Sequence, residues 1–283
     1  MSQQWTDLQR YVIEEHFEDY TDGRISRREL LKRVSYITGG VAASLAALSA
    51  LGCNVDQPRA LATGAASAAA TPNPTSPQPN VPFATPPAAA TTNPVTVRPD
   101  DPRLRAANAV SIPSGDGRAT LIGYEAYPAN PTGMGVLVMH ENTGLTPHIQ
   151  DVIRRVATAG KSVKVGAVGF CFGGGTTWNV VIAGAPLAAA VPFYGPLPSD
   201  PSGLAKTKAA VLAIYAEQDT RITASWPQAE EQLKKSGAPY ATKVEPGVGH
   251  AFHNDTNGPT RYGPAAAQDA WVLTIEWFRK YLA

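Results

Sequence analysis

Hydrophobic and polar positions change rhythm along the chain. From Leu145 to Ala159 the apolar residues Ile149, Val152, Ile153 and Val156 recur on one face at helical spacing. That pattern predicts an amphipathic helix, ended by Gly160. On either side the rhythm gives way to short apolar runs bounded by turn residues: Gly135–Met139, Val165–Phe170 and Ala209–Tyr215. Such runs predict strands buried on both faces of a parallel sheet. Tyr240–Glu245 predicts another strand. Ala109–Ile112 and Ala119–Ala126 flank Ser114-Gly-Asp-Gly117, a hairpin by its turn residues. Strands interleaved with a helix place this part of the chain in the α/β class.

The first hundred residues follow another pattern. Ser26-Arg-Arg-Glu-Leu-Leu-Lys32 precedes an Ala-rich apolar stretch from about Tyr36 to Leu51. That stretch is too short and too rich in small residues for a membrane span, and its flanks suit a signal peptide. Residues 1–53 are therefore expected to be a twin-arginine signal region, implying the twin-arginine export machinery as a partner and a location outside the cytoplasm. Residues 1–25 would be an unusually long leading segment. Ala50-Leu-Gly-Cys53 resembles a lipoprotein box without its usual residue order, so membrane attachment through the N-terminal segment or Cys53 stays open. Ala60-Leu-Ala62 is an alternative cleavage site, after which Cys171 would be the sole cysteine. Residues 54–102 are rich in Ala, Pro and Thr, and 11 of the chain's 25 prolines lie between Pro58 and Pro102. This reads as an extended linker, leaving 103–283 as the catalytic domain.

Composition narrows the function. The 283 residues carry a net charge of +1 and are 43% hydrophobic, enough for one sizeable core and no reason to expect nucleic acid or another polyanion. Two cysteines do not make a disulfide framework. No repeat and no metal-spaced Cys/His cluster is visible, and the chemistry read below calls for neither metal nor cofactor.

That chemistry starts at Val165-Gly-Ala-Val-Gly-Phe-Cys-Phe-Gly-Gly-Gly175, where an apolar strand enters a Gly-x-Cys-x-Gly turn opening a helix. This is the nucleophile-elbow pattern with Cys171 at the serine position. Gly169 and Gly173 give room for strained backbone, and the helix N-terminus favours a thiolate. An elbow of this type needs an acid and then a histidine, in that order. Asp219 follows the Ala209–Tyr215 strand. His250 follows the Tyr240–Glu245 strand. Both sit on loops at the carboxyl edge of the sheet, where α/β sites collect. Each has a plainer reading: a structural cysteine in a glycine-rich turn, and an N-cap aspartate before a helix near Ala224. His253 competes with His250 as a substrate-facing or solvated loop residue. His250 is favoured because it lies immediately past the strand.

Four stretches together, Val138–Leu145, Gly166–Gly174, Ala190–Gly195 and Gly249–Asp255, make residues 109–283 resemble the dienelactone hydrolase family of α/β-hydrolases. The resemblance implies an α/β-hydrolase sheet with helices on both faces and a Cys171–His250–Asp219 triad. It implies Glu141 as the carboxylate held near the resting thiol. The oxyanion hole would use the backbone N–H of Phe172 and, from the loop after the Val136 strand, of Asn142. The expected activity is hydrolysis of small esters or lactones through an acyl-thioester.

The chain departs from the family between Gly160 and Val165. One core strand and its following helices are missing, and with them an arginine that binds a substrate carboxylate in some members. The family's second such arginine is Asn254 here. The elbow strand is then expected directly beside the Val136 strand, leaving the hairpin without its normal neighbour. An alternative function follows from the same gap: a catalytically impaired relative acting as an envelope binding module, or a truncated product.

Overall fold

A computed structural model of the chain describes residues 5–21, 23–55, 96–114, 119–130, 135–159 and 164–283. The linker from 56 to 95, the hairpin tip at 115–118, the helix stop at Gly160 and the junction at 161–163 lie outside them. The chain forms two compact units, one within 1–76 and one within 77–283.

In the first unit, α1 (Asp7–Thr21), α2 (Arg27–Thr38) and α3 (Val41–Ala50) pack around Ile13, Leu30, Val34 and Leu48. Ser26 caps α2 by accepting a hydrogen bond from the Glu29 N–H at 3.2 Å. Gly39, in the left-handed region at φ 84, ends it. Arg27 and Arg28 are exposed on the first turn. Cys53 joins the apolar core, where burial, with Glu14 and Glu18 adding, pushes its thiol up to about 11. Among the described residues no helix is long and apolar enough to cross a membrane.

The second unit is built on five parallel strands: β3 (Gly135–Met139), β4 (Val165–Phe170), β5 (Ala189–Phe193), β6 (Ala210–Ala216) and β7 (Tyr240–Glu245). Their spatial order is that of the sequence. The elbow strand β4 pairs directly with β3, Val136 opposite Gly166 and Met139 opposite Gly169, as the shortened crossover requires. Strands β5 and β6 are buried at every position and β4 at all but its first. This is why they read as unbroken apolar runs. Helices cover both faces. A Cβ on Gly166 would touch Phe278 and Leu282 at the end of α8 (Pro264–Tyr281). One on Gly169 would strike α5 (Phe172–Ile182), and the two glycines point to opposite faces of β4. The fold is thus a five-stranded parallel α/β sheet with helices on both faces.

The hairpin, β1 (Leu104–Pro113) with β2 (Thr120–Pro128), is longer than its sequence signal and forms a separate two-stranded antiparallel sheet. It docks instead on α4 (Pro147–Ala157), where Arg154 donates to the Tyr124 hydroxyl at 3.1 Å. Val97, within the stretch read as linker, is buried, and its N–H donates to Asp151 Oδ1 at 2.7 Å. Helix α8 and the helix α7 (Trp226–Ser236) complete the unit.

Candidate active site

Cys171 sits between β4 and α5 with φ 57 and ψ −119, a conformation that costs energy in any residue with a Cβ. The close approach that enforces it is visible at its neighbours. A Cβ on Gly169 would lie 2.0 Å from the Gly173 carbonyl oxygen, and one on Gly173 would lie 2.2 Å from that of Met139. The elbow therefore packs backbone to backbone on the end of β3. Cys171 is buried and in no disulfide.

Asp219 and His250 come from the loops after β6 and β7 and meet at 2.5 Å, Asp219 Oδ2 to His250 Nδ1. Asp219 is the residue before the short helix α6 (Thr220–Thr223), yet its side chain makes no capping bond. Its carboxylate is committed to the histidine, so the N-cap reading fails. A ring nitrogen of His250 and Cys171 Sγ lie within 4.8 Å of each other. All three candidate triad residues are thereby brought together. Phe172 opens α5, where helix geometry leaves the first N–H groups without intrahelical partners. The loop after β3 stands beside it: the His140 and Phe172 rings stack with centroids 6.2 Å apart, and Asn142 follows two residues on. Glu141, in the same loop, is buried and accepts a hydrogen bond from Asn254 Nδ2 at 2.6 Å. Burial raises its carboxyl above the usual range, against the pull of His148, Asn254, His250 and Arg261.

His253 is neither substrate-facing nor solvated. It is 1% exposed and stacks on Phe170 at 4.9 Å, with Phe193, His148 and Trp271 around it. Burial holds its pKa well below the ordinary value, so it is a neutral core residue. Sequence reasoning missed what fixes the His250 loop. His148 Nδ1 meets Asp255 Oδ1 at 2.9 Å, Arg155 reaches Asp255 Oδ2 at 3.4 Å, and Arg155 also pairs closely with Asp151. A chain of polar side chains, buried except at the half-buried Asp255, thus ties the loop carrying His250 to α4 and onward to Val97. The signal was present in α4 itself, whose helical face opposite Ile149 and Val152 carries Asp151, Arg154 and Arg155, all buried.

The family model described as the dienelactone hydrolase family matches residues 160–282. A protein of Methylorubrum extorquens provisionally named carboxymethylenebutenolidase is 28% identical, over 62% of this chain and 81% of its own length. Over residues 160–282, less than half of the chain, the sequence resembles the dienelactone hydrolase family. The alignment with that relative runs over 243 positions, whereas 62% of 283 residues is only about 175, so the relative carries residues with no counterpart here. A similarly named protein of Saccharolobus solfataricus is 32% identical over 41% of this chain and 44% of its own length. The chain spans about half the length of most of the curated relatives it matches. Among solved structures, a dienelactone hydrolase-like promiscuous phosphotriesterase from metagenomic libraries is 20% identical. It covers 62% of this chain and 99% of its own, with a TM-score of 0.56. That likeness shows the fold.

Proposed function

We propose that this protein hydrolyses small carboxylic esters or lactones, with Cys171 as nucleophile, His250 as general base and acid, and Asp219 as the group orienting His250. The observation that carries the reading is the Asp219–His250 contact at 2.5 Å beside a strained elbow cysteine. Asp219 on Nδ1 turns Nε2 toward the thiol. In the proposed cycle His250 Nε2 takes the Cys171 proton as sulfur bonds to the carbonyl carbon. The carbonyl electron pair moves to oxygen, where the Phe172 and Asn142 N–H groups are suited to hold it. Collapse breaks the C–O bond and His250 returns the proton to the leaving oxygen. Water, deprotonated by His250, then attacks the thioester, releasing the carboxylic acid and restoring the thiol.

The test is turnover of short p-nitrophenyl esters and of unsaturated lactones. Cys171→Ala should lose about 10³-fold or more in kcat; wild-type turnover in that variant would end the assignment. Export belongs to the same proposal, supported by the exposed Arg27-Arg28 pair at the start of α2. Replacing both with lysine should trap precursor in the cytoplasm, and unchanged export would overturn that part alone.

A further inference from the structure

The loop that carries His250 is held by different means on the two sides of the histidine. Upstream stand Gly247, in the left-handed region at φ 69, and Gly249, neither with a side chain to anchor it. The bonds there are exposed: the Gly247 N–H donates to Glu217 Oε2 at 2.8 Å, and Gln218 Nε2 donates to the Gly247 carbonyl at 3.2 Å. Downstream the chain turns at Ala251, whose φ is 60. The Ala251 carbonyl accepts from the Asn254 N–H at 3.2 Å and from Asn257 Nδ2 at 3.4 Å. The Phe252 carbonyl accepts from the Gly263 N–H at 3.0 Å. Asn254 Oδ1 accepts from the Thr256 N–H at 3.0 Å and from the Thr256 hydroxyl at 2.7 Å. The segment from His250 to Asn257 is therefore braced against itself, and a shift at Asp255 is carried to His250.

Asp255 is the point where this braced segment meets α4. Its Oδ1 lies 2.9 Å from His148 Nδ1, and its Oδ2 accepts from Arg155 Nη2 at 3.4 Å. The His148 contact, with Arg155 adding and burial opposing, holds the Asp255 carboxyl below the usual carboxylate range. An ionised carboxylate only accepts, so His148 Nδ1 carries the proton in this contact. The arrangement is a poor source of stability. Arg155 is 4% exposed, and its Nε and Nη1 have no hydrogen-bond partner among the described residues; nor has His148 Nε2. Burying charged groups with donors unmet costs free energy, and apolar side chains of similar volume would fill the same space at less cost. What the charged groups supply is direction: a donor at each carboxylate oxygen fixes both the place and the orientation of Asp255.

We propose that Asp255 is a positioning residue, anchored to α4 by His148 and Arg155, that sets where the His250 imidazole stands between Asp219 and Cys171. This rests on the reading of His250 as the base, and deepens it by naming what places the ring. Asp255 acts through the loop and not on the reacting atoms.

Two readouts on the full chain test this. One is kcat and KM for a short p-nitrophenyl ester. The other is the low-field proton resonance of the close Asp219–His250 contact, which needs no turnover. Asp255→Asn keeps the shape of the side chain but turns an N–H toward one of two partners that both donate. It should lower kcat about tenfold, leave KM within about twofold and shift or broaden the resonance. His148→Leu should do the same. His148→Asn, whose amide can donate in place of the Nδ1–H, should recover most of the lost kcat. An anchor that serves stability alone would lower the melting midpoint and leave kcat and the resonance of the folded protein unchanged. That result overturns the proposal, as does a wild-type protein without the resonance, or failure of both Asp255→Asn and His148→Leu to fold. Failure of the functional reading would appear separately, as hydrolysis retained by Cys171→Ala while Asp255→Asn still moves the resonance.

Discussion

The two sides of the sheet are built to different standards. Strands β4, β5 and β6 each have a partner on both sides, and the side chains of β5 and β6 are buried throughout. The glycines at the elbow have no space for a methyl group. On the other side β3 is an edge strand with Leu137 52% exposed. The hairpin beyond it shows Ile122 at 79% exposure and Leu121 at 55%. All three candidate triad residues belong to the packed side. Close packing in this fold is concentrated where backbone meets backbone, and that is where Cys171 sits.

The same substitution on both sides tests this contrast most strongly. Gly173→Ala places a methyl group 2.2 Å from the Met139 carbonyl oxygen and 2.6 Å from that of His140. It should cost about 3 kcal/mol or more, or prevent folding. Gly135→Ala on β3 meets nothing nearer than Val165 Cγ2 at 3.9 Å. It should change stability by about 0.5 kcal/mol or less. Urea melts of the two variants read the difference, and equal costs would erase the contrast.

Next in size is a pH effect at the far edge. Glu245, at the end of β7, is 2% exposed, and burial, with Asp269 adding, raises its pKa from 4.5 to about 8. Between those values the unfolded chain ionises this group while the fold keeps it protonated. Stability is therefore lost as pH rises from about 4.5 to 8 and levels off above. Glu245→Gln removes the term. Its stability relative to wild type should grow across that window, by on the order of a few kcal/mol at pH 8. A constant difference from pH 5 to 8 would contradict the assignment.

Hydrogen exchange gives a smaller but more local readout. Amides in 104–113 and 120–128 should exchange at least tenfold faster than those in β4, β5 and β6, because the two strands are tied down through α4 and not through the sheet. Uniform protection would mean that the open side is as firm as the packed one. The smallest effect is colloidal. Leu137→Lys on the exposed edge should reduce concentration-dependent self-association in sedimentation experiments without shifting the melting midpoint; unchanged association would show that this edge is not sticky.

The packed side was also the legible side. The strands at 165–170 and 210–216 could be drawn from apolar runs alone, because burial on both faces leaves no polar alternation to confuse them. Cys171, Asp219 and His250 were legible because chain order and loop position are conditions that few residues meet at once. The loop partners were not. His148, Asp151, Arg155 and Asp255 are polar residues on a helix and a loop, and sequence gives such residues a solvated reading until the fold buries them. His253 shows the reverse: a polar residue two positions past Ala251, whose positive φ of 60 redirects the loop and drives the imidazole under Phe170. The hairpin's docking on α4 was invisible too, since it depends on which strand is absent.

The central claim is that Cys171 forms a covalent acyl-enzyme despite the open side of the sheet. Mixing the protein with a short p-nitrophenyl ester, quenching with acid on the turnover time scale and measuring intact and peptide masses tests this most directly. The account predicts one acyl group per chain, located on the peptide containing Cys171 and absent from Cys171→Ala. An adduct on another residue, or ester turnover with no adduct on Cys171 in either the burst or the steady state, would contradict it.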